Sequence, residues 1–427
     1  AGVRQQPLGA AAGIVGHDEG GHALAAGAAG SADAAIYGAF LHESARQIFL
    51  DGALAGSFFD GVWSPTLSAG YSDYSRNDRD WPDELDLLGF GFNSSDVDND
   101  GSRWDVELRN DIAIDENNVL SLGGRFERER FSSEGVSDFA GFVITQDSEA
   151  ERDTWSLYGQ HRFSWDDRFF VTGSLRYDAP EGSDDALTWS IAPLYRHKET
   201  GTTIRGSVGT AFKAPSLYEL YGFSPNNFGN AFRGNPDLDP ERSFGWEVGV
   251  EQSLFEDRVI VGATWFHNDI EDAINTVFTP SFDSTTVNNR DLETYGLEAF
   301  IDVVPVESVH LRLDYTFTET EFQDDGTRAF RRPRHQFNGT LSVEIVEGLT
   351  VSGNVLAAGE RYDLDYNTGA PIKPEAYTVV NMAVDYEVMD GLQVFARAEN
   401  LTDSEYETAD GFAGKGVQLF VGLRARY

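Results

Sequence analysis

The last segment of the chain, residues 416–427, alternates strictly between two faces. One face is apolar, whereas the other carries mostly glycine and polar or charged side chains, and this period of two is the pattern of a β-strand. A strand needs about 9–11 residues to cross a bilayer, and this segment is slightly longer. The pattern predicts a membrane-crossing strand that ends on a lipid-facing aromatic. The apolar face consists of Val417, Leu419, Val421, Leu423, Ala425 and Tyr427.

The same alternation recurs upstream, in segments 104–114, 168–178, 243–254 and 309–318. In each segment one face is apolar and the opposite face carries charged or polar side chains. A charged face would be unusual inside a two-layer sandwich, but it fits a wall with lipid outside and water inside. The sequence therefore predicts an all-β fold, a transmembrane antiparallel up-and-down β-barrel.

Short and long connections alternate along this pattern without a break. Short turns are predicted at 115–118, 165–167, 199–201, 256–257, 306–308, 347–348 and 390–391. Longer polar loops are predicted at 77–101, 132–150, 213–241, 272–288, 322–331, 362–373 and 402–414. Membrane barrels have short turns on the periplasmic side and longer loops outside. We therefore expect a protein of the bacterial outer membrane with long extracellular loops and a periplasmic C-terminus.

The strand pattern also suggests a domain boundary. We count about fifteen strands from Ser102 to the C-terminus, one more around residues 62–76 and another over 45–59, which predicts a total of about 16–18. Residues 45–427 are assigned to the barrel domain. Residues 1–44 are poorly patterned and rich in Ala and Gly, and they could hold one further strand or be disordered.

Composition excludes several classes of function. The chain has no Cys, which rules out disulfides and thiolate metal sites. Its net charge of −39 would repel nucleic acid, so no nucleic-acid partner is expected. It has no apolar stretch of 18 or more residues, and its N-terminus does not read as a signal peptide, so we expect any such peptide to be already missing. No H-E-x-x-H, G-x-S-x-G or P-loop motif is present, so we expect no catalytic residues and no enzyme activity.

Four ordered segments resemble motifs of the TonB-dependent outer-membrane receptors, and among them the cobalamin and siderophore receptors. The segments are 209–222, 234–243, 330–336 and 400–408, and the resemblance extends from about residue 45 to the end. The motif residues are Lys213, Ala214, Pro215, Leu217, Asn235, Pro236, Leu238, Pro240, Glu241, Arg332, Pro333, Asn400, Leu401, Tyr406 and Tyr427.

The resemblance implies a receptor that takes up a scarce metal chelate, either a cobalamin or a ferric siderophore, with energy from TonB. Barrels of this family have 22 strands and follow a plug domain that contacts TonB, but neither the plug nor its TonB-contacting segment is recognisable here. We therefore expect an N-terminally truncated receptor, with an unpaired strand edge that is an aggregation liability. Similar barrels end on an aromatic that the assembly machinery reads, which gives Tyr427 a second expected role.

The longest predicted loop holds the candidate ligand-binding residues. Pro215 suits the first turn of a helix, so a short helix is expected over residues 216–220. The alternative is that these residues and the motif residues only shape an extracellular loop. The alternative function is a passive, porin-like diffusion channel. The candidate ligand-binding residues are Tyr218, Tyr221, Phe223, Asn226, Asn227 and Arg233.

Residues 96–107 match the calcium-loop pattern D-x-[DN]-x-[DN]-G-x5-E. Carboxylates two residues apart can converge on one hard cation, so Asp96, Asp98, Asp100 and Glu107 are candidate Ca²⁺ ligands in an extracellular loop. The alternative is a solvated acidic loop without flanking helices. Apart from this possible ion, no cofactor is expected.

Arg331, Arg332 and Arg334 form a basic cluster in an acidic protein. Because guanidinium groups match phosphate geometry, the cluster could bind lipopolysaccharide phosphates or an anionic ligand. The alternative is that the three arginines pair with neighbouring carboxylates in the lumen. Tryptophans near strand ends, such as Trp104 and Trp155, are interpreted as a girdle against outer-membrane lipid.

Overall fold

The structure, a computed structural model, describes residues 13–22, 40–81, 93–139, 141–225, 231–280, 283–365 and 368–426. These ranges contain 24 strands and one short helix, α1 (Leu217–Tyr221). None of the described helical residues forms a helix long and apolar enough to span a membrane. The strands are β1 (Gly13–His22), β2 (Phe40–Ala55), β3 (Trp63–Trp81), β4 (Asn93–Ala113), β5 (Asn118–Phe139), β6 (Phe142–Trp165), β7 (Phe169–Pro180), β8 (Ala186–His197), β9 (Thr202–Lys213), β10 (Phe223–Pro225), β11 (Ala231–Arg233), β12 (Glu241–Leu254), β13 (Val259–Phe278), β14 (Ser284–Val306), β15 (Val309–Phe322), β16 (His335–Val346), β17 (Leu349–Ala358), β18 (Asp363–Leu364), β19 (Pro371–Ile372), β20 (Tyr377–Met389), β21 (Leu392–Glu399), β22 (Glu407–Ala409), β23 (Phe412–Ala413) and β24 (Gln418–Ala425).

Twenty of these strands form one sheet. Eighteen of them form a meander in which each strand pairs antiparallel with the next, from β1 to β9, then β12 to β17, then β20, β21 and β24. The short strands β10 and β11 form a hairpin, and β11 also pairs with β14. This confirms the predicted antiparallel up-and-down architecture and its strand number.

The two faces of the sheet differ in chemistry, as the alternation predicts. In β15, Leu311, Leu313, Tyr315 and Phe317 share one face, whereas Arg312 on the other face forms ion pairs with neighbouring aspartates. Large apolar side chains on the first face are exposed in strands from β2 to β24. A membrane barrel places such a face against lipid. We call it the outer face, and the polar one the inner face.

All seven predicted short turns are confirmed, since each falls between two consecutive strands of the meander. Five of the seven turns contain residues in the left-handed region that Asp and Gly tolerate. Asp166 and Asp167 have φ of 53° and 47°, and Gly391 has φ of 79°. Tight turns of this kind hold consecutive strands in antiparallel register.

Three predicted long loops are wrong in extent. Most of 272–288 belongs to β13 and β14, which pair as far as Phe278 and Ser284. Residues 132–150 form the ends of β5 and β6, which pair as far as Phe139 and Phe142. Much of 77–101 likewise lies in β3 and β4. These strands have 19 to 24 residues, about twice what a bilayer requires. Backbone pairing thus continues beyond the part of each strand that shows apolar alternation.

The final strand, β24, begins at Gln418 and ends at Ala425, inside the predicted limits. Leu419, Val421 and Leu423 are 75%, 81% and 72% exposed, which confirms the predicted apolar face, whereas Tyr427 lies outside the described residues. In the described part of the chain, β24 pairs only with β21, and β1 only with β2. Strand β1 lies within residues 1–44, and the domain boundary at residue 45 stays a prediction.

The two faces should respond differently to charge. Ile191, an exposed outer-face residue of β8, should not tolerate arginine, and Ile191→Arg should lower the free energy of unfolding from lipid by about 2–4 kcal/mol. The control is Ala192→Arg, which places the same charge on the inner face. Reversible unfolding in lipid vesicles measures the free energy of unfolding of the two variants. Equal destabilisation by the two variants would contradict the assignment of the faces.

Candidate functional site

The loop between β9 and β12 carries the first two motifs and begins with helix α1. Ser216 is the N-cap, because its side chain accepts a hydrogen bond from the Glu219 N–H while the Glu219 carboxylate accepts one from the Ser216 N–H. This capping box stabilises a helix of five residues that would otherwise be marginal. Leu217 and Leu220 are buried beneath it. The predicted short helix is confirmed.

One side of this loop is fastened to β5 and β6. The buried side chain of Arg152 donates from Nη1 to the Pro215 carbonyl oxygen at 2.6 Å. The ring of Tyr218 meets Phe131 edge to face, with 5.8 Å between centroids. Arg152 and Phe131 belong to the inner-face series of their strands. Helix α1 therefore lies on the lumen side of the wall.

The other side of the loop is fastened to β14. Asn235 donates from its side chain to the Thr286 carbonyl oxygen at 3.0 Å, and the Thr286 hydroxyl donates to the Glu219 carbonyl oxygen at 3.1 Å. The Asn235 N–H also donates to the Glu219 carbonyl oxygen. Further along, the Asp239 N–H donates to the side chain of Asn288. We call this set of bonds, together with that of Arg152, the loop clasp.

Most residues of the first two motifs belong to or surround the loop clasp. Pro215 and Pro240 are almost fully buried, as is Leu238, whereas Ala214 is half-buried and Pro236 is exposed. Lys213 forms an ion pair with Glu241, and the Nζ to Oε2 distance is 3.3 Å. Glu241 also accepts a hydrogen bond from the Ile274 N–H. These motif residues therefore shape and anchor the loop, as the second interpretation of the sequence expects.

Several of the candidate ligand-binding residues lie on the exposed side of the same loop. Tyr218 stacks on Phe232, with ring centroids 4.9 Å apart and planes 7° from parallel. Arg233 lies over the ring of Phe223 at 4.9 Å, and Tyr221 is 43% exposed. Burial raises the pKa of the Tyr218 phenol, which stays neutral at physiological pH. We call these five residues the aromatic face of the loop.

Asn226 and Asn227 lie outside the described residues. The ligand role of the other four candidates stays a prediction.

The third motif, residues 330–336, links the loop after β15 to the loop after β17. Arg331, with φ of 61°, places its Nε 3.0 Å from Oδ1 of the buried Asp363. Burial alone would raise the pKa of Asp363, but hydrogen bonds from two backbone N–H groups and from Arg331 outweigh it and lower that pKa. Pro333 is half-buried, and Arg332 is exposed.

The fourth motif, residues 400–408, holds together the loop before β24. The buried side chain of Asn400 donates to the carbonyl oxygens of Ser404 and Lys415 and accepts from the Ser404 N–H. Tyr406 stacks on Tyr377 at 4.6 Å, and Leu401 is exposed. This motif, too, organises a loop.

The candidate calcium ligands do not form the predicted loop. Residues 96–107 are part of the continuous strand β4, in which Asp96, Asp98 and Asp100 share one face and Glu107 lies on the other. At about 3.3 Å per residue, Asp96 and Glu107 are roughly 36 Å apart along the strand. Glu107 instead accepts a hydrogen bond from Tyr158. The predicted set of four ligands is therefore wrong, and calcium binding by the three aspartates alone stays a prediction.

One cluster of possible metal ligands was not found from the sequence. His267, Asp269 and Glu293 bring three ligand atoms within 4.8 Å of one another. Asp269 and Glu293 face each other across β13 and β14, and the ring of His267 stacks near Trp246 and Tyr295. Only strand register brings Glu293 to the other two, so no local motif could have revealed the cluster.

The fold and the loop clasp define a transmembrane barrel whose lumen side is partly covered by the anchored β9–β12 loop. The family of TonB dependent receptor-like β-barrels matches residues 18–401, and this chain belongs to it. Proteins of this family are outer-membrane receptors and transporters rather than enzymes, in agreement with the sequence prediction.

Two curated relatives come from Vibrio cholerae. An iron-regulated outer membrane virulence protein is 30% identical over 334 residues, which are 71% of this chain and 48% of that protein. The vitamin B12 transporter BtuB is 30% identical over 289 residues, which are 66% of this chain and 44% of that protein. The chain thus spans about half the length of the curated relatives that it matches.

Solved structures share the fold. The copper transporter OprC has a TM-score of 0.73 at 14% identity, covering 90% of this chain and 66% of its own. The ferric-catecholate import receptor Fiu of E. coli has a TM-score of 0.70 at 14% identity, covering 91% of this chain and 65% of its own.

The loop clasp should depend on the absence of a side chain at Gly234. A Cβ there would lie 2.6 Å from the backbone carbon of Leu220, so Gly234→Ala should displace α1 and make residues 214–240 cleavable by protease while the barrel still forms. Gly52→Ala in β2, where a Cβ meets nothing within 4 Å, is the control. Similar protease resistance of the two variants would contradict the packing of α1 described above.

The ion pair of Asp363 predicts how the loop that contains it responds to pH. Because the pKa of Asp363 is lowered in the fold, its contribution is present above the ordinary Asp value of about 3.9 and is lost only as pH falls through the lower folded value. Asp363→Asn should speed hydrogen exchange of residues 359–376 at neutral pH. Glu360→Gln, which neutralises an exposed neighbour, should not. Unchanged exchange in Asp363→Asn would show that the carboxylate does not hold the loop.

Proposed function

We propose that this chain is the barrel of a receptor that captures a scarce metal chelate, either a cobalamin or a ferric siderophore, and admits it through the outer membrane. The observation that carries the proposal is the aromatic face, which the loop clasp holds on the lumen side of the wall. A rigid, partly exposed cluster of aromatic rings offers a large contact area at low entropic cost.

The chemistry of the chain fits a chelate of this kind. Its net charge of −39 disfavours a free, strongly anionic ligand and favours one that is neutral or carries a bound cation. The relatives support the same class, because the names of two of them refer to iron regulation and to vitamin B12. Both a cobalamin and a ferric siderophore belong to this class of ligand.

Uptake would require partners beyond the residues described. In the proposed arrangement a plug domain occupies the lumen, TonB in the periplasm moves it, and the C-terminus of the barrel lies on the periplasmic side. A passive, porin-like channel would need neither plug nor TonB, and nothing in the family match favours it.

The proposed function can be tested by growth. A strain that lacks the receptor, complemented with the full-length gene, should regain growth on limiting cobalamin or on limiting ferric siderophore, and only when TonB is present. Failure to restore growth on either nutrient would refute uptake of these chelates. Growth that does not depend on TonB would favour the passive channel.

Within this assay the aromatic face should set the affinity. Tyr221→Ala should raise the chelate concentration needed for half-maximal growth roughly tenfold, as expected when a binding aromatic is truncated. Tyr386→Ala removes a similarly exposed tyrosine from the outer face of β20 and should have little effect. If both variants changed the chelate concentration for half-maximal growth equally, Tyr221 would not be part of the binding surface.

A further inference from the structure

Three side chains that can bind a metal ion meet where β13 and β14 lie side by side. His267 and Asp269 are two residues apart in β13, and Glu293 is the register partner of Asp269 in β14. We call these three residues the β13–β14 cluster. One ligand atom from each residue lies within 4.8 Å of the other two. Among the residues that the structure describes, no other group of three His, Cys, Asp or Glu side chains meets this distance.

The imidazole ring of His267 bridges the two carboxylates. Its Nε2 is 3.0 Å from Oδ2 of Asp269, and its Nδ1 is 3.7 Å from Oε1 of Glu293. Stacking holds the ring in this orientation, since its centroid is 5.8 Å from that of Trp246 and 6.5 Å from that of Tyr295. The side chains of His267, Asp269 and Glu293 are 22%, 36% and 30% exposed, so an ion can reach them from solvent.

The cluster carries more negative charge than its neighbours neutralise. Glu293 also faces Glu321 across β14 and β15, so Asp269, Glu293 and Glu321 form a row of carboxylates on three adjacent strands. Like charges directly opposite each other destabilise a sheet. In the described part of the chain, none of the three forms an ion pair with lysine or arginine. A protonated His267 would supply one positive charge to this row, whereas a divalent cation supplies two.

The cluster lies on the outer face of the wall, at one end of the bilayer crossing. His267 follows the exposed Trp265 by two residues and pairs with the exposed Trp246, so the three side chains share this face. Counted from Val259, the first residue of β13, His267 and Asp269 are the ninth and eleventh residues. About 9–11 residues of a strand cross a bilayer, which places the cluster at the interface with water. It is therefore separate from the aromatic face, which lies on the lumen side.

We propose that the β13–β14 cluster binds a divalent transition-metal ion such as Zn²⁺, through one ring nitrogen of His267 and one oxygen from each carboxylate. Imidazole and carboxylate are ligands of this class of ion, at distances of about 2.0–2.2 Å. Ligand atoms of such a tetrahedral site lie roughly 3.4 Å apart, which small rotations of partly exposed side chains can reach. The fourth position is taken by water. Ca²⁺ would instead require about 6–8 oxygen ligands.

A metal ion in this cluster would join two strands that also hold the loop clasp. A bulge interrupts the pairing of β13 and β14 between Ile270 and Ala273, directly beyond the cluster. Past this bulge β14 carries Thr286 and Asn288, which bond to the β9–β12 loop. The ion would fix the two strands at the base of this hairpin and so make the hairpin stiffer. The inference concerns the wall and does not depend on which chelate the receptor carries.

The test is isothermal titration of Zn²⁺ into the full-length receptor, purified in detergent and freed of metal with a chelator. Loss of an outer-shell partner already costs about 10–100-fold in metal affinity, so the double variant His267→Gln/Glu293→Gln, which loses two ligands, should bind Zn²⁺ at least roughly a hundredfold more weakly. The matched control is His310→Gln. His310 also contacts a carboxylate, that of Asp302 at 3.1 Å, but Arg312 pairs with the same carboxylate. This variant should keep the affinity of the wild type.

Hydrogen exchange provides a second measurement. Zn²⁺ should slow the exchange of residues 271–280 and 283–292 in the wild type and in His310→Gln, but not in the double variant. Circular dichroism verifies that each variant is folded. If the double variant does not fold, the single variant Glu293→Gln, which keeps the size of the side chain, takes its place and should bind Zn²⁺ at least roughly tenfold more weakly.

Three results would overturn the proposal. The first is equal Zn²⁺ affinity of the cluster variants and the His310→Gln control. The second is displacement of Zn²⁺ by an equal concentration of Ca²⁺, which would indicate a site made of carboxylates without the imidazole. The third is unchanged hydrogen exchange of the hairpin when Zn²⁺ is bound, which would show that the ion does not join β13 to β14.

Discussion

Backbone hydrogen bonding between neighbouring strands is the constraint on which the rest of this structure depends. Within a bilayer no water can satisfy an unpaired N–H or C=O group, so each membrane-crossing strand must be paired along its length. The meander provides this pairing between consecutive strands, from β1 to β24. Because that constraint fixes the backbone, side chains are free to differ by face, apolar towards lipid and charged towards the lumen.

The loops depend on the wall in turn. The β9–β12 loop contains few residues of regular structure, and its conformation is set by contacts with strands on both sides of its own hairpin, Arg152 of β6 and Thr286 of β14. Two of the four family motifs lie in this loop, and their residues Pro215 and Asn235 take part in these contacts. They describe how a receptor holds its loop, whereas the exposed aromatic rings beside them carry the proposed selectivity for a ligand.

The parts of the structure that could be predicted from the sequence are those determined by residues close together in the chain. Turns such as 390–391 follow from residue types that accept left-handed backbone, and the outer face follows from alternation. The full length of the β5–β6 hairpin could not be predicted, because residues 131–150 show no regular apolar alternation although the backbones of the two strands stay paired. The calcium pattern failed for the same reason, since pairing extends β4 through it. Glu293 is placed beside His267 and Asp269 by the register of β14 with β13, which one segment alone cannot show.

The loop clasp has a mechanical consequence for the barrel. A curved sheet around a wide lumen can change its curvature at little cost, because strand pairing alone does not fix its cross-section. The β9–β12 loop joins β6 to β14 on the lumen side, through Arg152 at one end and Asn235 at the other. It therefore acts as a brace across several strands. That sector of the wall therefore keeps its curvature, and any change in the width of the lumen must come from the part of the wall that has no such brace.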